Sequence, residues 1–215
     1  MAYKQGSVRD MFNRVLDILP VEFADLPAGS AAADAAADLQ TQYNAVISES
    51  GAQSGFEGTG EEGTVLRAVA RQNIRDWMST LGRTARSISR QTPGFDKNYP
   101  PPSGMDDTEL LNEARAIAPK AIADKTIFIG RGLTNAFITS IDGFITDFDA
   151  SQDTTNAADG SRGAAVSEKN TAYEKGLDDV DVLNDFIRNF YRTQPAKLAA
   201  WKIASHIERS PKKKP

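Results

Sequence analysis

The feature of this sequence that most constrains its fold is a seven-residue repeat of large apolar side chains over residues 137–191. Spacings of three and four residues place these side chains on one face of an α-helix, and a helix buries such a stripe against other helices. The stripe comprises Phe137, Ile141, Phe144, Phe148, Val166, Tyr173, Leu177, Val180, Ile187 and Tyr191. No apolar segment outside this pattern alternates with a period of two, so no strand is predicted. We therefore predict an all-α fold, an elongated antiparallel helical bundle of four or more long helices with short N-terminal helices.

Glycine and proline residues divide the chain into the individual predicted helices. Short N-terminal helices are expected over residues 7–20 and 31–50, and a longer helix over residues 64–90. Asp106 or Asp107 is the expected N-cap of the next helix. Helices over residues 134–157 and 163–192 should form an antiparallel hairpin, with its turn near Asp159 and Gly160.

The predicted domain organisation depends on a glycine-rich segment near the first quarter of the chain. Residues 51–63 contain five glycines and are predicted to form a flexible linker. The linker would separate an N-terminal helical appendage, residues 1–50, from a helical bundle domain, residues 64–207. Residues 208–215 form a basic tail.

Composition places the chain among ordinary globular proteins. Of its 215 residues, 40% are hydrophobic and 25% are charged, with a formal net charge of -4. No apolar segment approaches the ~20 residues that a membrane-spanning helix requires. Because the N-terminal residues also lack the apolar core of a secretory signal, the expected location is the cytoplasm.

The reactive side chains of the sequence argue against an enzyme. The chain has no cysteine and one histidine, which excludes disulfides, thiolate catalysis and zinc-finger ligation. A carboxylate-bridged metal site needs Glu-x-x-His pairs, but Ile203 occupies the glutamate position before His206. Ser205 and His206 are neighbours on a helix, so their side chains point about 100° apart and cannot act as nucleophile and base. No catalytic residue, metal or cofactor is predicted.

Two motifs match known ligand-binding patterns only in part. Gly58, Gly60 and Gly63 form a G-x-G-x-x-G sequence, but a helix precedes it instead of the strand that a phosphate-binding loop requires. Residues 147–158 follow the acidic spacing of a calcium loop, but Gln152 replaces its glycine and Ala158 its bidentate glutamate. We therefore predict neither site.

The best candidate for an interaction surface is an arginine-rich face of the helix over residues 64–90. At 100° per residue its arginines share one arc, and only one acidic residue, Asp76, accompanies them. These arginines are Arg67, Arg71, Arg75, Arg83, Arg86 and Arg90. They could contact a nucleic-acid backbone, pair with the acidic residues of the later hairpin, or face water. Further candidate interaction residues are Trp201, for which a core position is the alternative, and the tail residues Lys212, Lys213 and Lys214.

Several short stretches also carry a resemblance to a known family. They are residues 83–88 (RTARSI) with 93–95 (PGF), the Leu110-Leu111 helix, and the ending 195–201 (PAKLAAW) with 205–209 (SHIER). On these stretches the chain resembles, over about residues 83–211, an uncharacterised family of small all-helical bacterial proteins common in Acidobacteria. The resemblance implies a helical bundle with a basic, proline-containing tail, and it brings no activity, cofactor or catalytic residue.

These observations together predict a non-enzymatic structural or protein-interaction bundle. It would associate with itself, as a homo-oligomer or larger assembly, or with another protein, through an apolar helix face. One alternative is a nucleic-acid-associated protein that uses the arginine face over Arg67 to Arg90. A second alternative is a helical carrier or sensor that holds an apolar ligand between Phe137, Phe144, Phe148 and Tyr173.

Overall fold

The computed structural model describes residues 4–208 and confirms the all-α fold. Its helices are α1 (Gln5–Glu22), α2 (Ala31–Ser89), α3 (Asp107–Ala123), α4 (Lys125–Ile129), α5 (Asn135–Thr139), α6 (Ile141–Phe190) and α7 (Pro195–Ala204), with a short 3-10 helix over Phe95–Asn98. No strand occurs among these residues. The chain divides into two compact units, the first formed by Met1–Phe56 with Gly160–Pro215 and the second by Glu57–Asp159.

The first unit is a bundle of α1, α7 and the adjoining parts of α2 and α6. Helix α1 buries five apolar side chains at helical spacing, among them Met11, Phe12 and Val15. These pack with apolar side chains of the other three helices in one core, which includes Leu39, Val46, Tyr173, Val180, Leu183, Ile187, Tyr191 and Trp201. The predicted stripe over residues 173–191 is therefore a core stripe of this unit.

The second unit has its own core, built around the C-terminal part of α2. Trp77 is fully buried there, and its indole Nε1 donates a hydrogen bond to the Phe137 carbonyl oxygen at 3.0 Å. Helices α3, α4, α5 and the start of α6 complete the core, which includes Ile74, Leu81, Ile88, Leu110, Ala114, Ile117, Phe128, Ile138, Ile141 and Phe148. The predicted N-cap of α3 is confirmed at Asp106, which forms a reciprocal capping box with Glu109.

Within each unit, α2 and α6 run antiparallel. In the first unit, Lys169 Nζ donates a hydrogen bond to Gln53 Oε1 at 2.5 Å, and Asp179 lies close enough to Asp38 for their charges to interact. In the second unit, the guanidinium of Arg67 lies 5.3 Å from the centre of the Phe148 ring, and Gly63 lies against Thr155. A later position on α2 thus meets an earlier position on α6, as an antiparallel pair requires.

The predicted glycine-rich linker over residues 51–63 is wrong, because all of these residues belong to α2. Each glycine in a helix interior costs about 1 kcal/mol relative to alanine, but two of these glycines lie against α6. A Cβ atom on Gly63 would come within 2.6 Å of Thr155 Oγ1 and 3.3 Å of the Ser151 carbonyl oxygen, and one on Gly60 would touch Ala158. Gly63 therefore allows a close approach of the two helix backbones that a larger residue would prevent.

The predicted hairpin turn near Asp159 and Gly160 is also wrong, since α6 is one helix of 50 residues. For the same reason α2 and α6, with 59 and 50 residues, are the longest helices within residues 4–208. The predicted domain boundaries at residues 50 and 63 lie inside α2, and each compact unit combines a part of α2 with a part of α6. Helix α1 likewise continues through Pro20 to Glu22.

Candidate interaction surfaces

The arginine face of α2 is only partly available to a partner, because its first half is held by residues around the start of α3. Arg67 NH2 lies 2.5 Å from Asp107 Oδ2, and Arg71 Nε lies 3.0 Å from Asp107 Oδ1. Arg75 donates to the backbone carbonyl oxygens of Met105, at 2.7 Å, and Pro102, at 3.5 Å. The guanidinium groups of these three arginines are therefore held in place by contacts inside the second unit.

These three arginines line one concave surface, which we call the arginine groove. Its volume is about 570 Å³, and its other polar lining residues are Thr64, Gln72 and Asp107. The arginines follow one another at four-residue intervals, which places them on one side of α2. The expectation that the arginines would pair with the acidic residues of α6 is wrong for Arg67 and Arg71, because their partner, Asp107, lies on α3. Asp149 of α6 pairs instead with Arg115.

The second half of the predicted arginine face has a different environment. Arg86 Nε donates to the Gly82 carbonyl oxygen one turn earlier, at 3.2 Å. Arg83 and Arg90 are exposed and make no hydrogen bond or ion pair within residues 4–208. The six arginines thus form a preorganised group of three and a separate, solvent-facing group.

Trp201 is a core residue of the first unit, with only 2% of its surface exposed. Its ring packs edge-on against Phe23 with a centroid distance of 5.8 Å, and its Nε1 donates to Asn184 Oδ1 at 3.1 Å. The interaction role considered for Trp201 is therefore wrong, since a partner cannot reach this side chain. The remaining tail candidates, Lys212, Lys213 and Lys214, lie outside the described residues.

Polar contacts near Trp201 and Phe23 connect α7 to the segment after α1. Lys197 Nζ lies 2.7 Å from Asp25 Oδ1 and 4.3 Å from the centre of the Tyr191 ring. The Tyr191 hydroxyl donates to the same oxygen of Asp25 at 2.6 Å. The bonds from Lys197 and Tyr191 lower the pKa of Asp25, whereas burial and the Asp25 carboxylate raise the pKa of Tyr191. These contacts have a structural role.

An apolar surface that the sequence pattern did not indicate lies on another side of α2. Val65, Leu66 and Val69 are 63%, 52% and 54% exposed. Leu66 lies at four-residue spacing before the buried residues Ala70 and Ile74, a pattern that predicts a buried position, yet it is more than half exposed. Leu66 and Val69 also line a groove of about 340 Å³, which they form with Ala70 and with residues of α6, including Ala150 and Ser151. Val65 and Val69, which fall outside the spacing of Leu66, Ala70 and Ile74, were the available signal in the sequence, because a helix with one buried face has no structural need for them.

The residues considered for an apolar ligand are divided between the cores of the two units. Phe148 belongs to the core of the second unit, where it is fully buried, and Phe137 and Phe144 pack against that core. Tyr173 belongs to the core of the first unit and lies 6.1 Å, centre to centre, from the Phe12 ring.

The partial ligand-binding motifs both lie within helices. The G-x-G-x-x-G segment lies inside α2 and the calcium-like segment inside α6, so neither forms a loop around a ligand. Over residues 4–208 no three histidine or acidic side chains converge in a way that could hold a metal ion. His206 is exposed, and its backbone carbonyl oxygen accepts a hydrogen bond from Arg14 at 2.5 Å.

One acidic side chain is in an unfavourable environment. Oδ2 of Asp179 is buried and has no hydrogen-bond partner among the described residues. Burial, followed by the charges of Asp38 and Asp178, raises the pKa of Asp179 above its ordinary value. Because Asp38 is on the facing helix α2, repulsion between the Asp38 and Asp179 carboxylates opposes α2–α6 packing in the first unit at neutral pH.

Within residues 4–208, no helix is sufficiently long and apolar to cross a bilayer. Comparison of the chain with protein-family models, with curated protein sequences and with solved structures yields no match. The resemblance of residues 83–211 to a family of small helical bacterial proteins therefore stays a prediction.

Proposed function

We propose that this protein is a non-enzymatic structural or interaction protein that self-associates through the apolar surface of Val65, Leu66 and Val69. The observation that carries this proposal is the exposure of three large apolar side chains, each more than half exposed, within two turns of one helix. A single exposed apolar residue is ordinary, but a contiguous apolar patch is typical of protein interfaces. The absence of cysteine and the single, exposed histidine support a non-enzymatic role.

A second copy of the chain is the partner that fits this surface best. The surface combines three exposed apolar side chains with a groove between α2 and α6 that Leu66 and Val69 line. A two-fold symmetric interface places the same patch of both subunits in contact, so an apolar patch of one copy would be covered by the same apolar patch of the other. Burying these side chains would contribute about 25 cal/mol for each Å² of apolar surface removed from water.

Sedimentation or light scattering of the purified protein across micromolar concentrations tests self-association. We expect a dimer or larger assembly that dissociates on dilution, and a protein that stays monomeric throughout would contradict the proposal. The variant Leu66→Glu keeps a good helix former but places a charge in the interface, so it should be monomeric. Val182→Glu is the matched control, because Val182 is 43% exposed on α6 and lies outside the surface. Equal dissociation of both variants would show that another surface forms the contact.

The nucleic-acid hypothesis gains no support from the arrangement of the arginines. The six arginines are divided between the groove beside Asp107 and a separate exposed group, so they do not form one continuous basic face for an extended backbone. The overall charge of -4 also repels such a backbone at long range. The hypothesis is tested by titration with generic DNA and RNA at low salt, where affinity must fall steeply as salt rises.

A further inference from the structure

We infer that the arginine groove is a binding site for a small anion that carries more than one phosphoryl group. The groove contains three guanidinium groups and one carboxylate, that of Asp107, so its lining has two uncompensated positive charges. Asp106 and Glu109, which form the capping box of α3, and Asp76, which accepts from Gln72, are not among the residues that line the groove. A ligand with at least two negative charges would balance this groove.

The guanidinium groups are already in position for such a ligand. Arg67 is held between Asp107 and the ring of Phe148, and Arg75 is held by two backbone carbonyl oxygens. A guanidinium group carries five N–H donors in a planar fork, and these contacts use only a few of them. Arg71 contacts Asp107 through Nε, and its two terminal nitrogens donate no hydrogen bond within the described residues. Binding would therefore need little reordering of the side chains, which favours affinity.

The size of the groove indicates a ligand with more than one phosphoryl group. Arg67 and Arg75 are eight residues apart on α2, which corresponds to about 12 Å along the helix axis. The groove volume of about 570 Å³ lies in the range of small-molecule sites and exceeds what a single phosphate would fill. Guanidinium forks bind phosphate oxygens in pairs, which gives geometric selectivity that a point charge lacks.

Titration of the full-length protein with inorganic diphosphate at low ionic strength, followed by calorimetry, tests the inference. We expect one binding site per chain, weakened by salt. The variant Arg71→Gln should bind diphosphate at least about tenfold more weakly, as the loss of charge-assisted hydrogen bonds implies. The matched control is Arg83→Gln, on the same helix, exposed and outside the groove, and its affinity should stay within about twofold of the wild type.

Three results would overturn the inference. The first is no binding of diphosphate by the wild-type protein. The second is an equal loss of affinity in Arg71→Gln and Arg83→Gln, which would mean nonspecific attraction to the whole arginine face. The third is binding of a single-stranded oligonucleotide without any binding of diphosphate, which would indicate an extended nucleic-acid surface. The inference is independent of self-association, since the arginine groove and the apolar surface share no residue.

Discussion

The docking of α1 onto α6 depends on the absence of a side chain at Gly176. A Cβ atom at this position would lie 2.5 Å from Cζ and 2.7 Å from Cε2 of Phe12. Non-bonded carbon atoms prefer a separation of about 3.5–4.0 Å, so the substitution Gly176→Ala requires a shift of about 1 Å. Phe12 is fully buried and packs on Tyr173. The ring therefore cannot move away without disturbing the core of the first unit.

The magnitude of this effect follows from two opposing contributions. Overpacking a filled core costs typically about 1–3 kcal/mol, whereas replacing glycine by alanine inside a helix stabilises it by about 1 kcal/mol. Gly163→Ala isolates the second contribution, because Gly163 is on the same helix and a Cβ there meets nothing within 4 Å. We expect the free energy of unfolding of Gly176→Ala to be lower than that of Gly163→Ala by about 1–3 kcal/mol.

Urea unfolding followed by circular dichroism measures this difference. If Gly176→Ala is as stable as Gly163→Ala, then Phe12 does not lie against Gly176 and the reasoning fails. A double-mutant cycle with Phe12→Leu makes the test specific to the contact. The smaller side chain should destabilise the wild-type background but be better tolerated beside Ala at position 176, so the two effects should not add.

Two further predictions concern ionisable groups. Because the pKa of Asp179 is raised in the folded state, its contribution to stability is present below its unfolded pKa and is lost as pH rises through the folded value. Asp179→Asn should therefore be more stable than the wild type at pH 7 but not near pH 3. A lower stability of Asp179→Asn than of the exposed control Asp181→Asn at pH 7 would contradict this prediction. The Tyr99 hydroxyl donates to Asp124 Oδ2 at 2.8 Å, and burial, with a contribution from Asp124, raises its pKa. Tyr99→Phe should therefore lower the free energy of unfolding by about 1 kcal/mol at pH 7. This loss, measured by urea unfolding, should shrink above pH ~10 as the unfolded tyrosine ionises. A loss that does not change with pH would refute the role of the hydroxyl proton.

Local signals predicted the helices and much of the core. The period of apolar residues correctly indicated buried positions such as Ile141, Phe148 and Ile187, because a helix that buries one face must repeat its apolar residues at that period. The cap at Asp106 was also predictable, since a capping box involves residues only three positions apart. Proline at the start of α7 was a further local signal, because its missing N–H is not needed there.

The candidate sites were less predictable because they depend on which segments meet. The arginine face was visible in the sequence, but its division into two groups follows from the position of Asp107 beside Arg67 and Arg71. The apolar surface was missed because Leu66 fits the buried period, and only the position of α6 decides which edge of the stripe stays exposed.

The sequence by itself determined that this chain is helical, where its apolar stripes lie and which chemistries its side chains lack. Only the tertiary structure decided that the glycine-rich segment 51–63 and the Asp159–Gly160 segment are helical. Glycine disfavours an isolated helix, but on a helix that faces another it allows the close approach seen where Gly63 meets Thr155. Local sequence records the first effect, whereas the second exists only when the two helices are in contact.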